Sequence, residues 1–385
     1  MTRTTPIAVV GAGPAGLTAA LLLARAGHRV TLIGPKAVAP DSRTTALLGP
    51  TVRALDEAGV WASAKDKAAA LRIMRIADAT KRLWRAPPVS FDSAEMKLEA
   101  FGWNIANVDL NKSLEEAIAT NQNIERITAP ARVTEINGDA VLIDVDGGDP
   151  LEARLVVAAD GRGSKVREAA GIGTRSWTYP QTAVTLSFSH TRPHHDISTE
   201  FHTETGPFTF VPLPGQRSSL VWLVRPEEAE RLMAMSHEAL GLEVERRAQS
   251  MLGKISIEPG RAALPMSAMN ADTMAKNRVA LVGETGHVFP PIGAQGFNLT
   301  MRDVLDLVRH VEGADDPGAP SVLAAYGASR QGDVVGRTTM VDVINRSLLS
   351  ELLPIQGARG LGLYLLDRIG PLRRLAMREG LAARG

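Results

Sequence analysis

The 385-residue chain contains no cysteine. That excludes disulfides, thiolate metal sites and cysteine nucleophiles. It has no excess of either charge: 43 Lys and Arg stand against 42 Asp and Glu, a net charge of +1. Such a balance gives no reason to expect nucleic acid as a partner. Long apolar runs are missing too. The longest, 17-LTAALLLA-24, includes a threonine and stops at Arg25, far short of the roughly 20 residues of a membrane span. Near the start, Ile7–Val10 is broken at once by glycine and does not read as a secretory leader. The expected location is the cytoplasm, with peripheral contact at the inner face of the membrane as an addition. No histidine pair or carboxylate cluster has metal-ligand spacing. No internal repeat or low-complexity segment is present.

What is present is a soluble globular composition, 44% hydrophobic and 22% charged, in a chain long enough for two lobes. The first forty residues read as strand Ile7–Val10, turn 11-GAGPAG-16, helix Leu17–Ala26 closed by Gly27, and strand Val30–Ile33. Residues 45–70 read as helical and 71–84 as a half-buried strand pair. A helix is expected at 110–119, with strands at 131–136, 140–145 and 154–160. Between about 178 and 265 apolar residues alternate at period two, as in 182-TAVTLSFSH-190 and 218-SSLVWLV-224, which predicts an inserted antiparallel sheet. A strand at 278–283 and a helix at 298–311, with Asn298 as its N-cap, return to the first style. From 320 onward the pattern is mostly helical.

Three motifs carry chemistry. GAGPAG fits G-x-G-x-x-G between a strand and a helix. Gly11 permits the tight turn, Gly13 lets backbone approach a pyrophosphate, and Gly16 lets helix and strand sit close; the helix N-terminus adds free N–H groups. The acid expected at the end of the second strand is absent. The sequence reads 30-VTLIGPK-36, with Gly34 in its place. Lys36 nearby points to a phosphorylated ribose, hence NADP; the other reading has the ribose held elsewhere. The first motif alone does not choose between FAD and NADP. The second motif, 154-RLVVAADGRGSKVRE-168, holds Asp160-Gly161 with Ser164 and Arg167 behind it. Taken alone it reads as an Asp-Gly turn closing a strand. The third, 282-VGETGHVFPPIGAQGFN-298, offers Glu284 after a glycine, the stiff Pro290-Pro291 pair, and Gly293 and Gly296 before a helix whose N-terminus can stabilise an anion.

In that order and spacing, GAGPAGL, VAADGRGSKVR and LVGETGHVFPPIGAQGFN resemble the flavoprotein aromatic hydroxylases of the single-component class. The stretches 41-DSRTTALLGPTVRALDEAGVW-61, 101-FGWNIANVDLNKSLEEAI-118, 201-FHTETGPFTFVPLPGQRSSLVW-222 and 326-YGASRQGDVVGRTTMVDVINRS-347 are most similar to the ubiquinone-biosynthesis hydroxylases. The resemblance spans essentially the whole chain. It implies an α/β fold: an FAD-binding doubly wound domain of the glutathione-reductase-like type, an inserted antiparallel-sheet substrate domain and a helical C-terminal tail. On that reading residues 1–70, 100–177 and 266–330 form the FAD domain, 71–99 and 178–265 the substrate domain, and 331–385 the C-terminal segment.

The resemblance also assigns roles. Gly11, Gly13, Ala15 and Gly16 would hold the FAD pyrophosphate, Arg43 would reach the same cofactor, and Asn107 would sit near its flavin side. Asp160 would lie beside FAD. Gly283, Glu284, Pro290, Pro291, Gly293, Gln295, Gly296, Phe297 and Asn298 would follow the ribityl chain and flavin face. The family usually has Asp where this chain has Glu284, so the carboxylate reaches about one methylene farther. The implied reaction is hydroxylation of an electron-rich aromatic ring by O₂ through a flavin C4a-hydroperoxide, with NAD(P)H or a separate electron donor as reductant. No catalytic base announces itself, and His287 reads first as a residue that orients its loop by bonding backbone. His190, His202, Phe201, Phe208, Phe210 and Trp222 are candidate pocket walls; His194-His195 read as an exposed turn.

The last 35 residues hold six Arg against three acids, interleaved with Leu352, Leu353, Leu361, Leu363, Leu365, Leu366, Ile369 and Leu372. They read as a helix on the FAD lobe with Arg outward, or else as a surface for an anionic membrane or a multi-enzyme complex; the first is favoured. Three functions stay open. One is hydroxylation of a polyprenylated phenol or quinone precursor. Another is hydroxylation of a small soluble phenolic compound with NAD(P)H. The third is flavin binding without turnover, as an assembly factor.

Overall fold

A computed structural model describes residues 2–36, 41–80, 87–291, 293, 295–349, 362 and 364–381. Its first sheet is built on the motif-bearing strands. Arg3–Val10 lies between Val30–Ile33 on one side and Leu151–Ala158 on the other, parallel to both. Val279–Leu281 and Ile124–Ile127 extend the parallel set outward. Their inner stretches, Ile7–Val10 and Leu155–Ala158 among them, are apolar and buried on both faces, as covered parallel sheets require. The strand order reverses beside Arg3–Val10, and in such sheets the crevice at that switch point takes the ligand. The helix Pro14–Arg25 leaves it, starting on a proline whose missing N–H costs nothing at a first turn.

The second sheet has nine strands. Its centre is the antiparallel set Ala262–Ala271, Thr174–His190, Arg217–Val224, Gly206–Leu213 and Ile197–Thr203. Alternation gives it two different faces. One carries Phe188, Phe201, Phe208, Phe210 and Trp222 into a core closed by the helices Pro226–Ala234 and His237–Arg247. The other looks toward the first lobe. A three-stranded sheet, Thr44–Leu48, Gly102–Ala106 and Ala68–Leu71, sits between them. It meets the large sheet through Thr44 Oγ1 and Ser219 Oγ, 2.9 Å apart, and through Asn104 Nδ2, which donates to Pro212 O at 2.9 Å.

Several elements differ from the pattern-based expectation. Residues 45–70 are helical only in Gly49–Glu57 and Trp61–Ala64 apart from a short turn at Lys65–Lys67; both ends are strands. The Ala-rich 68–71 segment favours helix by propensity, but pairing with Gly102–Ala106 overrides it. In 71–84, Ile73–Asp78 is one strand, and it pairs with Val89–Asp92 and, in parallel, with Ile197–Thr203; residues 81–84 lie outside the described set. The strands Thr174–His190 and Ala262–Ala271 run past 178 and 265 toward the first lobe. The helix Pro320–Leu349 runs unbroken across residue 330. The helix Gly370–Leu381 is anchored by Arg373, which meets Glu95 at 3.0 Å in the turn after Val89–Asp92. That is the side of the inserted sheet, not of the first lobe. Leu352, Leu353, Leu361 and Leu363 lie outside the described residues. Among the described residues no helix is long and apolar enough to cross a membrane.

Candidate functional site

The three glycines of the first motif do three different things. At Gly11, φ is 114°, and a Cβ there would sit 2.2 Å from Ala159 O. The position is reserved by the neighbouring strand as well as by the turn. A Cβ at Gly16 would fall 1.8 Å from Gly11 O, so helix and turn touch backbone to backbone. A Cβ at Gly13 would meet no atom within 4 Å. Gly13 is the N-cap of Pro14–Arg25, no side chain caps that helix, and no acid lies in its first turn. An open space over uncapped N–H groups at a helix N-terminus suits a pyrophosphate.

Gly34 has a steric reason. Its φ is 153°, and a Cβ there would lie 2.9 Å from Ala12 N. No carboxylate side chain fits at this position. Its carbonyl accepts from Arg126 Nη1 at 2.7 Å, and Arg126 also pairs with Glu115 at 3.2 Å. Lys36 is exposed.

Arg43 is gripped by a residue the sequence reading passed over. Asp41 binds it side-on, Oδ1 to Nε and Oδ2 to Nη2, both 2.8 Å. Asn107 Nδ2 donates to Asp41 Oδ2 at 2.9 Å, and Thr45 Oγ1 donates to Asn107 Oδ1 at 2.7 Å. Burial would raise the Asp41 pKa, but hydrogen bonds from Arg43 and Asn107 outweigh it and hold the carboxyl below its ordinary value. The bond to Asp41 raises Arg43 against the opposing effect of burial, with Asp41 and Glu284 adding charge attraction. Arg43, Asn107 and Glu284 therefore come together. No signal but proximity to Arg43 in the sequence pointed to Asp41.

In the third motif Glu284 is exposed while its neighbours on both sides are buried. Gly283 has φ 63°, and a Cβ there would be 2.9 Å from Thr300 Oγ1. His287 does not bond backbone with Nε2. That nitrogen lies 2.7 Å from Asp303 Oδ2, with the imidazole 2% exposed and stacked on Phe289. Asn298 is not an N-cap. The helix spans Gln295–Val311, and Asn298 within it donates to Ala46 O at 2.8 Å and accepts from Leu48 N and Thr51 Oγ1. It ties the helix start to the small sheet. Gln295 accepts from Arg337 Nη1 at 2.8 Å. A Cβ at Gly296 would meet nothing within 4 Å, and Gly293 has φ 70°. Phe297 and Ala15 are half-buried against the first core, and Pro290 is buried.

Asp160 behaves as its local pattern suggests. Its carboxylate accepts from Ser164 Oγ and from Lys165 N (2.9 Å), holding the short helix Lys165–Ala169. Arg167, 6% exposed, donates to Thr285 O at 2.9 Å and so binds the second motif to the third. Arg162 reaches across to the inserted sheet, donating to Ser267 Oγ at 3.0 Å.

Between the lobes lies a cavity of about 190 Å³. Its walls are Ala183, Leu220, Val221, Leu264, Pro265, Met266, Phe289 and Pro291, with the hydroxyls of Ser42, Thr44, Thr185, Ser219 and Ser267, and with Arg43, Arg162 and Glu284. Phe201, Phe208, Phe210 and Trp222 are not among them; they belong to the core on the opposite face. Nor are His190, bonded to Arg192 O and Ser218, or His202, bonded to Glu200. His195 is exposed in a left-handed turn at φ 51°, and His194 bonds Leu213 O. Among the described residues no three His, Asp or Glu side chains group as a metal site.

This donor set fits FAD: a helix N-terminus open at Gly13 for the pyrophosphate, an exposed carboxylate at Glu284 for sugar-type hydroxyls, and a cavity beside it for a ring. Residues 4–338 match the family described as FAD binding domain. Ubiquinone hydroxylase UbiL of Rhodospirillum rubrum is 34% identical across 97% of this chain and 89% of its own. The 3-demethoxyubiquinol 3-hydroxylase of Escherichia coli is 30% identical across 98% of each. Among solved structures, p-nitrophenol 4-monooxygenase PnpA of Pseudomonas putida shares the fold at a TM-score of 0.79, with 21% identity and 100% of both chains covered.

Proposed function

Because this chain belongs to the FAD-binding-domain family that includes the ubiquinone hydroxylases, we propose that it is an FAD-dependent monooxygenase of an aromatic ring. The observation that carries the reading is the placement of Glu284. It is the exposed carboxylate of an otherwise buried loop, and it faces a cavity closed by the inserted sheet. Bound FAD supplies the redox chemistry, taking electrons from NAD(P)H or another donor and activating O₂ for transfer of one oxygen atom to the ring. The chain supplies the rest. Gly13 and the N-terminus of Pro14–Arg25 hold the pyrophosphate. Glu284, with Arg43 and Asn107 behind it, holds hydroxyls of the cofactor. The N-terminus of Gln295–Val311 would offer positive potential to the bound cofactor. Apolar walls from the sheet, Phe289 and Pro291 exclude water from the reacting ring.

The substrate that fits these walls is a phenol or quinone precursor with a prenyl tail. Eight of the lining residues are apolar and five offer neutral hydroxyls, while the Arg43 cation is already held by Asp41. Arg162 favours a second reading. It lines the cavity, and its hydrogen bond is to a neutral serine, so a small phenolic acid would find a cation there. The reconstituted enzyme, given reductant, ¹⁸O₂ and either a prenylated phenol or a small phenolic acid, should put one labelled oxygen on the prenylated ring. Labelling of the acid alone selects the second reading; FAD binding with no labelled product from any phenol leaves the assembly-factor role.

A lipid-tailed substrate also gives the C-terminal segment a use. Leu372, Leu375 and Ile369 are 37%, 54% and 43% exposed beside the exposed Arg368, Arg374 and Arg378. This face suits an anionic membrane at the cytoplasmic side. Sedimentation with phosphatidylglycerol vesicles, lost at high salt and in Leu375→Glu, is the expected behaviour; no sedimentation with anionic vesicles rejects it.

A further inference from the structure

Asp303 is a carboxylate with 0% exposure in the middle of the helix Gln295–Val311. A charge so placed requires partners for both oxygens. Oδ2 accepts from the backbone N–H of Gly283 at 2.9 Å and from His287 Nε2 at 2.7 Å; Oδ1 accepts from Arg330 Nε at 2.9 Å. None of these four residues lines the cavity. What they support does. From Val279 to Val288 every residue except Glu284 is buried, so the turn at Gly283 decides where the Glu284 carboxylate emerges. His287 stacks at 15° on Phe289, a cavity wall. Arg330 belongs to Pro320–Leu349, the helix that also reaches the inserted sheet through Thr338 and Asn270, 3.0 Å apart.

Resting on the FAD-binding reading above, we infer that Asp303 is a positioning residue for both halves of the site. Its carboxylate fixes the Gly283 turn that presents Glu284 to the cofactor. Through His287 it fixes the Phe289 wall against which the substrate ring lies. It acts through these groups and touches neither cofactor nor substrate. One oxygen serving both the turn and the imidazole makes the two placements depend on each other.

The test is a double-mutant cycle on FAD affinity. Asp303→Asn keeps the shape but replaces one accepting oxygen by an N–H, which then faces a donor of Arg330, Gly283 or His287. Purified apo-proteins of wild type, Glu284→Ala, Asp303→Asn and the double variant are titrated with FAD, with circular dichroism to check folding. Asp303→Asn should weaken FAD at least tenfold. The double variant should bind within about threefold of Glu284→Ala alone, because a misaimed carboxylate and a missing one lose the same interaction. A residue that merely supports the fold gives additive losses, and additivity overturns the inference, as does wild-type affinity in Asp303→Asn. Should Asp303→Asn not fold, the same cycle is run with His287→Phe, which keeps the stacking on Phe289 and removes one donor to the carboxylate. Unchanged affinity or additivity there overturns the inference equally. A wild type that binds no FAD overturns both this inference and the functional reading; wild-type binding with additive losses overturns this inference only.

Discussion

Two glycines three residues apart should fail in opposite ways. In Gly16→Ala the new Cβ lies 1.8 Å from Gly11 O, where an ordinary contact is about 3.5 Å. The helix Pro14–Arg25 must retreat by roughly 1.5 Å from a turn that is itself wedged against Ala159. Overpacking of this kind costs about 1–3 kcal/mol, and backbone-on-backbone contact puts it at the upper end. In a chain of 385 residues, about 3 kcal/mol corresponds to a fall of about 4 °C in the melting temperature of the apo-protein. In Gly13→Val the side chain enters open space. The φ of −79° and ψ of 179° at residue 13 are extended backbone that valine adopts freely, so the apo-protein should change by no more than about 1 kcal/mol. The same methyl groups cover the uncapped N–H groups. Losing two charge-assisted hydrogen bonds at about 1.5–3 kcal/mol each amounts to about 3–6 kcal/mol, or roughly 10²–10⁴-fold in FAD affinity. Scanning fluorimetry on apo-proteins and FAD titration by flavin fluorescence separate the two quantities. A Gly13→Val protein that holds FAD like wild type would falsify the assignment of that space to the pyrophosphate. A Gly16→Ala apo-protein that melts with wild type would show that the close contact does not govern the lobe.

Glu284→Asp should keep FAD while Glu284→Ala weakens it about tenfold or more, as loss of a charged hydrogen-bond partner does; identical retention in both means Glu284 is no ligand. Trp222, 1% exposed in the second core, should cost about 3–5 kcal/mol of stability as Trp222→Ala, with the substrate KM of the folded fraction unmoved; a tenfold rise in KM would place it on the cavity after all. Tyr179 donates to Asp342 Oδ1 at 2.7 Å, and burial first, then Asp342, push its phenol up to about 12. The folded protein holds that proton more tightly than the unfolded chain, whose phenol titrates near pH 10. The contribution is therefore complete below about pH 10 and declines as pH rises toward 12. In urea titrations the gap between wild type and Tyr179→Phe should narrow over that window; a gap that stays constant from pH 8 to 11.5 contradicts the assignment.

The parts of this protein legible in the linear chain are those set by near neighbours. The strand–glycine–helix unit at 3–33 and the alternation of the inserted sheet rest on contacts or periodicities within about thirty residues. Elements defined by distant partners were not legible. Ala68–Leu71 reads as helix until Gly102–Ala106 pairs with it. Asn298 resembles an N-cap until Ala46, Leu48 and Thr51 engage it from 250 positions away.

The site divides along the same line. The chain by itself offered the residues proposed to meet the cofactor: the glycines at 11, 13 and 16 between a strand and a helix, and a carboxylate after the glycine at 283. Even Gly34, the apparent loss of a ribose contact, is a local matter, since Ala12 leaves no room for a side chain. Only the tertiary structure decided which face of each inserted strand looks at the cavity. Period-two alternation separates two faces, and nothing along a strand says which of them a helix pair will cover and which will border a cavity. Here Pro226–Ala234 and His237–Arg247 cover the aromatic face, and the plainer face of Ala183, Thr185, Ser219 and Val221 is left to line the cavity. Likewise only the fold could reveal Asp41 behind Arg43 and Asp303 behind Glu284, because a buried carboxylate acquires its meaning from the donors that surround it.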